Sequence, residues 1–282
     1  IRGGVGRFVG RTPLMAGAFP SLEGYTAQSF ERDGEVPVGA SARVVYSIAE
    51  ALRPASARVW NVEYDQKMGE SLSFKVNHLE RDGWHELVVE PRGDGTERTI
   101  DLTSSGHSTY RETEATIRYR RPDVADVTAT YVYSRARADL NAFDTSFGTV
   151  RDPIIRPGQF GPTTTDVPHR VVLLAAWPVR GWSLSPLLEV RSGFPFSQRD
   201  GAQKFVGARN EAGRFPTFVS LDLNILRTVT IRGRHARLGL RSNHLLGNFT
   251  PRDIQANVEA AEFGRLYNSI PRRLQFTVEV MP

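Results

Sequence analysis

The segment Arg273–Met281 sets Leu274, Phe276, Val278 and Val280 on one side of an extended chain and Arg273, Gln275, Thr277 and Glu279 on the other. Unbroken alternation over eight positions has the two-residue period of a strand, not the 3.6-residue period of a helix. The pattern recurs upstream. Trp60, Val62 and Tyr64 oppose Asn61, Glu63 and Asp65, and Leu72, Phe74 and Val76 oppose Ser73, Lys75 and Asn77. Thr113, Ala115, Ile117 and Tyr119 alternate with Glu112, Glu114, Thr116 and Arg118, and a strand over 124–138 carries Val127, Ala129, Tyr131 and Tyr133. A strand over 167–178 bears Val171, Leu173, Ala175 and Trp177, and the next bears Leu184, Leu188 and Val190. Val219, Leu221, Leu223 and Ile225 face away from Ser220, Asp222 and Asn224, and Leu238 and Leu240 face away from Arg237, Gly239 and Arg241. With a glycine-rich opening strand over 1–12, the pattern predicts ten strands.

Their connections alternate in length. Tight turns fall at Lys67–Gly69, Arg121–Asp123, Arg180–Gly181 and Arg232–Arg234, while long connections span 13–54, 82–105, 139–166, 195–215 and 247–269. The second long one holds strand-like pieces around Gly93-Asp-Gly95 and predicts a β-ribbon projecting from the rim. A soluble sandwich also alternates, but nothing in it gathers short turns at one end and long loops at the other. An outer-membrane barrel does so, with turns in the periplasm and loops outside. By that parity both ends of the chain are periplasmic. Sequential strands are then expected to pair antiparallel throughout, with no helix beyond about three turns.

Composition narrows the choice. Hydrophobic residues make up 40% of the 282, mean hydropathy is -0.34, and no run approaches the roughly 18 to 20 apolar residues of a membrane helix. A barrel needs only every second strand residue to be apolar. Cysteine is absent, which excludes disulfides and thiolate metal sites. The net charge of +5 is almost wholly arginine, since lysine stands only at 67, 75 and 204. These arginines are interleaved with glutamates and form no long basic run, so no nucleic-acid partner is expected. The start at Ile1, without an initiator methionine or signal segment, reads as an internal piece of something longer. Tyr64, Tyr119, Trp177 and Trp182 fall near the short-turn ends of strands, where a periplasmic aromatic girdle would lie, although core or turn roles would also place them there.

Several strings carry a resemblance beyond architecture. Tyr131-Val-Tyr-Ser134, Asp166-Val-Pro-His-Arg170, Arg191-Ser-Gly-Phe-Pro-Phe196, Gly213-Arg-Phe-Pro216, Leu221-Asp-Leu223 and Asn248-Phe-Thr-Pro-Arg-Asp253 resemble the C-terminal barrel half of TonB-dependent outer-membrane receptors. The branch they resemble most carries an N-terminal carboxypeptidase-regulatory-like domain. The likeness covers about residues 100–282, and the Arg2–Arg11 segment resembles an earlier strand. It implies a 22-stranded barrel holding a plug, of which this chain, as one partial barrel domain over 1–282, supplies fewer than half the strands. It also implies a location in the bacterial outer membrane, partners in outer-membrane lipid, a TonB complex reached through a plug absent from this chain, the barrel-assembly machinery and a small solute. The family ends on an aromatic residue read by the assembly machinery, whereas this chain ends Val280-Met-Pro282; Leu274, Phe276, Val278 and Val280 are the candidate assembly signal.

No catalytic, metal or cofactor site is expected. Gly3, Gly4, Gly6 and Gly10 precede no helix and no Gly-Lys-Ser/Thr, so they read as strand glycines making room for neighbouring backbone. His107, Ser108 and Glu112, or Asp166 and His169, fall in no nucleophile elbow or metal motif. Glu112, Glu114, Arg118 and Arg120 are the candidate lumen charges: they could hold a plug or passing solute, or pair with one another across strands. Two other readings remain: a self-contained ten-stranded barrel (porin, adhesin or membrane enzyme), in which residues 3–11 would pair with 273–281, and a secreted soluble β-domain binding glycan or protein, in which a second sheet would cover the apolar faces.

Overall fold

A computed structural model describes the chain except residues 32, 33, 50, 94, 142–154, 156, 157, 232, 233 and 282. In chain order, β1 (Arg2–Val9) is followed by helix α1 (Leu14–Ala18), a 3-10 turn (Phe19–Ser21), β2 (Tyr25–Phe30) and β3 (Pro37–Ile48). Then come β4 (Ser56–Met68), β5 (Leu72–Arg92), β6 (Glu97–Arg121), β7 (Ala125–Ala138), β8 (Gly161–Pro162), β9 (His169–Val179) and β10 (Trp182–Arg191). The short strands β11 to β14 are Pro195–Phe196, Gln198–Arg199, Phe205–Val206 and Gly213–Arg214. The chain continues through β15 (Phe218–Ile231), β16 (Arg234–Asn243), β17 (Asp253–Ile254), β18 (Leu266–Tyr267) and β19 (Arg273–Met281).

Ten of these form one antiparallel wall in the order β1-β4-β5-β6-β7-β9-β10-β15-β16-β19, and they are the ten strands that alternation predicts. Neighbours in the wall are consecutive among the ten wall strands, so the wall is an up-and-down meander. The tight turns at Lys67–Gly69, Arg121–Asp123 and Arg180–Gly181 are present, with Gly69 at φ 67°, Asp123 at φ 61° and Gly181 at φ 82°. The fourth, at Arg232–Arg234, lies largely outside the described residues, although Ile231 pairs with Arg234 across it.

The register shows that the wall is built to curve. One row of paired residues contains Leu72, Tyr119, Val127, Ala175, Pro186, Leu223 and Ser242. Leu72 sits at its turn, Tyr119 two residues from the end of β6 at Arg121, Ala175 four from Val179, and Leu223 eight from Ile231. Through the first three turns the row climbs one residue per strand. A rise of about 3.3 Å for each 4.8 Å across is a tilt of about 35°, which lies in the range that closing a sheet into a barrel requires. β1 and β19 do not pair with each other, and each has one partner strand among the described residues.

The expectation of exclusively antiparallel pairing is corrected beyond the wall. The connection 13–54, read as a loop, contains β2 and β3, and β3 pairs parallel with the far half of β6 from Arg43↔Glu97 to Ile48↔Leu102. The expected ribbon exists as continuous extensions of β5 and β6, paired as far as Arg92↔Thr99. Register shifts around Glu86 and a left-handed His85 (φ 58°) mark bulges where the ribbon leaves the wall. Together β2, β3 and the ribbon make a lobe at the loop end with its own core: Ala16, Phe19, Val44, Tyr46, Val89, Ile100 and Leu102. Phe19 meets the Tyr46 ring edge-on at 5.3 Å. The wall has no such core. Its apolar side chains stand open, as at Ile117, Trp177, Leu238, Phe276 and Val278, and among the described residues no second sheet packs on them.

Candidate functional site: the polar face and the loop-end rim

Alternation and register give the wall two faces of opposite chemistry. One carries Leu72, Phe74, Val76, Ile117, Ala129, Leu173, Leu188, Leu221, Leu240 and Phe276, paired in continuous rows across the strands. Near the turns this face bears Tyr64, Tyr119, Trp177 and Trp182, as the girdle reading expects, and the Arg227 guanidinium lies 4.8 Å over the Trp182 ring. Leu274, Phe276 and Val278 are its most open stretch, at 56%, 76% and 70% exposure; the Val280 side chain lies outside the described residues. So much exposed apolar area on one face needs an apolar medium or a partner to cover it.

The other face is lined with ion pairs. Glu63 takes Arg2 and, at 2.9 Å, Lys75. Arg170 binds Glu189 at 2.9 Å, and Arg237 binds Glu279 at 3.2 Å. Of the four candidate lumen charges, Arg118 and Arg120 converge on Asp126, at 2.7 and 3.6 Å. Glu112 accepts from the Tyr110 hydroxyl, and Glu114 from Thr116 at 3.3 Å. The four thus share a face but form no common cluster. The arginines' partner, Asp126, went unremarked in the sequence, although the turn at Arg121–Asp123 fixes the register that brings it there.

At the loop end the long connections interlock, and the strings singled out in the sequence meet. Asp166 takes the Ala136 amide at 2.7 Å and pairs with Arg214. Arg214 also donates to the carbonyls of Asp166 and Gly193, at 2.8 and 3.2 Å. Gly193 has no side-chain room, because the Phe215 carbonyl occupies the place a Cβ would take. Arg209, buried, donates to the carbonyls of Ala138, Gly161 and Pro162, and Asn210 adds a 2.8 Å bond to Pro162. Burial pulls the Arg209 pKa below its ordinary value, opposed by the nearby Asp139 carboxylate. His244 is a second hub: its amide donates to Asp222 at 2.8 Å and its ring contacts the Asn248 carbonyl at 3.0 Å. Where this hub meets the polar face, an open groove of about 830 Å³ is lined by Phe218, Asp222, His244, Arg252, Arg273 and Gln275.

The histidines singled out in the sequence sit in packing and hydrogen-bonding contacts among the described residues. His107 stacks on Phe160 at 5.1 Å and takes the Asp139 carboxylate on its amide, and His169 sits against Tyr131, so both serve packing. Among the described residues no three His, Asp or Glu side chains are grouped to hold a metal.

Comparison with known proteins gives the fold its context. The outer-membrane transporter YddB from Escherichia coli superposes with a TM-score of 0.65 over 98% of this chain and 38% of its own, at 13% identity. The chain has the fold of an outer-membrane transporter barrel. The FrpB iron transporter of Neisseria meningitidis (F3-3 variant) matches with a TM-score of 0.56 over 83% of this chain and 32% of its own, at 12% identity. The ferric-catecholate import receptor Fiu of Escherichia coli K12 matches at 0.50 over 90% and 31%, at 14% identity. This chain therefore spans about a third of the length of each. No family model and no curated protein matches the sequence.

Proposed function

We propose that this chain is the C-terminal part of the barrel of a TonB-dependent outer-membrane receptor, in the branch with an N-terminal carboxypeptidase-regulatory-like domain, and that the whole protein imports a small solute. Residues 1–282 are one barrel domain in this reading, the apolar face meets outer-membrane lipid, and the polar face lines the lumen. The observation that carries it is the wall itself: a tilted meander with one ion-paired face and one open apolar face, ordered loops at a single end, and an architecture shared with two transporters and an import receptor. The groove beside His244 opens on the polar face at the loop end, where an arriving solute would first meet the lumen. Leu274, Phe276, Val278 and Val280 form the edge offered to the barrel-assembly machinery, and the energising TonB complex acts through a plug outside this chain. No side chain is assigned a covalent role.

The test uses the complete gene containing this chain in its native host. Disrupting it should abolish growth on one scarce siderophore, sugar, peptide or cobalamin, and collapsing the proton-motive force should stop uptake of that solute in the wild type. Uptake that continues undiminished after uncoupling would identify a passive pore and end the energised reading.

A further inference from the structure

The apolar face changes character in a fixed order along β4 to β7. Beside the turn-end rings of Tyr64 and Tyr119 it carries Leu72, Phe74, Val76 and Ile117. Above these lie Trp60, His78, Tyr131 and Tyr133, with the Trp60 and His78 rings 5.1 Å apart. Above the aromatic residues come Arg58, Asp82, Arg111 and Arg135, each ten residues from the turn end of its strand at Met68, Leu72, Arg121 or Ala125. Alternation keeps all four on the apolar face, and Arg7 of β1 joins them by pairing with Arg58. Ten residues at about 3.3 Å each, tilted by about 35°, rise about 27 Å above the turns, close to the roughly 25 Å height of a barrel's apolar band. A girdle of aromatic rings followed by charge marks the level where hydrocarbon gives way to headgroups.

The charge at that level is unbalanced. Arg58 meets Asp82 at 3.2 Å and Arg111 meets Glu80 at 3.6 Å, but Arg7 and Arg135 lie over the rings of Trp84 and Tyr133, at 5.8 and 5.6 Å. Four guanidinium groups thus face two carboxylates, and the Arg58 and Arg111 side chains are 63% and 65% exposed. Planar guanidinium forks match phosphate oxygens in bidentate geometry, and aromatic stacking restrains them before a ligand arrives. The feature is confined to one arc: at the corresponding height on β15, about twelve residues above Ile231 because that turn reaches further down, the chain carries Val219.

We propose that Arg7, Arg58, Arg111 and Arg135 form a docking surface for the phosphorylated headgroup of an outer-leaflet lipid. The proposal rests on the membrane reading above and adds a ligand on the outside of the wall, remote from the lumen. Its occupant is committed by height, sign and geometry: a lipid headgroup anion sits at the hydrocarbon edge, and the oxygens of a phosphate accept several guanidinium forks at once.

The complete protein would be placed in nanodiscs containing either bis-phosphorylated lipid A or its phosphate-free analogue, and bound lipid counted by native mass spectrometry. The wild type should retain the phosphorylated lipid at least about tenfold better, and the combined Arg58→Gln, Arg111→Gln, Arg135→Gln variant should lose that preference. Heat-modifiable gel migration checks that the variant barrel is folded, and the matching arginine-to-lysine variant, which keeps the charge but loses the planar fork, should retain only part of the preference. Equal retention of both lipids by the wild type, an unchanged preference in the glutamine variant, displacement by millimolar inorganic phosphate, or crosslinking of the arc to a protein instead would each overturn it. A wild type absent from the outer membrane would sink the membrane reading too; one present there without phosphate preference sinks this proposal alone.

Discussion

Leu223→Arg tests the two-faced wall at its most demanding point. Leu223 lies within the apolar run Val219, Leu221, Leu223 and Ile225 of β15, opposite Pro186 on one side and Ser242 on the other. Eight residues separate it from Ile231, and at a tilt of about 35° that is about 22 Å along the membrane normal. This turn reaches further down than the others, because the reference row climbs four residues over the last two strand steps. Leu223 therefore falls near mid-bilayer, where a lipid-facing arginine costs about 2 to 4 kcal/mol. At about 1.4 kcal/mol per decade, the folding constant should drop by a factor of about 30 to 700. Two controls isolate the cause. Ser185→Arg puts the same charge on the polar face of the adjoining strand and should cost less than about 1 kcal/mol, and Val229→Arg, six residues nearer the turn, should cost about 0 to 1 kcal/mol. The assay is a denaturant titration of the complete protein refolding into lipid vesicles. A Leu223→Arg cost within about 0.5 kcal/mol of wild type, or a Ser185→Arg cost equal to it, would refute the assignment of faces.

Arg209→Met should leave the carbonyls of Ala138, Gly161 and Pro162 without their buried donor, at a local cost of about 2 to 4 kcal/mol, read as faster hydrogen exchange over 192–217 with wall strands unchanged. Phe19→Ala should remove the centre of the lobe core for about 3 to 5 kcal/mol, so that limited proteolysis cuts within 13–54 while the wall stays protected; cleavage spreading into β4 would show that lobe and wall are one cooperative unit. Gly193→Ala should push the Phe215 carbonyl away and loosen the Arg214–Asp166 pair, seen as lost amide protection at Ala136; an undisturbed amide there would mean that the strings do not act together. An Arg118→Ala, Asp126→Ala double-mutant cycle should give a coupling of about 0.2 to 1 kcal/mol that shrinks at high salt, since both side chains are partly exposed.

The wall was legible in the sequence because its rule is local. A residue's face depends only on the parity of its position, and the ten strands and their order follow from parity plus the tight turns. The candidate lumen charges were legible as a shared face for the same reason, and illegible as contacts because Asp126 enters by register. The lobe was missed although Ala42, Val44 and Tyr46 alternate with Arg43, Val45 and Ser47 and are buried on one side. Four prolines broke the segment into apparent loop, and its parallel partner, residues 97–102, lies some fifty positions away in the half of β6 taken for ribbon. The rim contacts were illegible in a different way. Asp166, Gly193, Arg209 and Arg214 reach their partners only after two long connections, 139–166 and 195–215, have folded against each other, and no period in the sequence encodes such a meeting.

The wall and the rim are held by different forces. The wall's side chains gain little from one another and most from whatever covers the apolar face, while its backbone ladders run unbroken from β1 to β19. The rim has almost no apolar core beyond the lobe. It is fixed by a few charged and polar hubs: Arg209 and Arg214 grip carbonyls and a carboxylate at and beside the connection 139–166, and His244 ties Asp222 of β15 to Asn248. Bonds of this kind are strong when dry and exchange readily for water or for a ligand's own polar groups once wetted. In the import function proposed above, a solute reaching the groove beside His244 would compete for the loops without breaking a rung of the wall, so loop opening and wall integrity are separable in that reading. The same separation explains why the ordered polar hubs stand at the loop end, whereas the described turns at the other end reverse the chain on Gly69, Asp123 and Gly181.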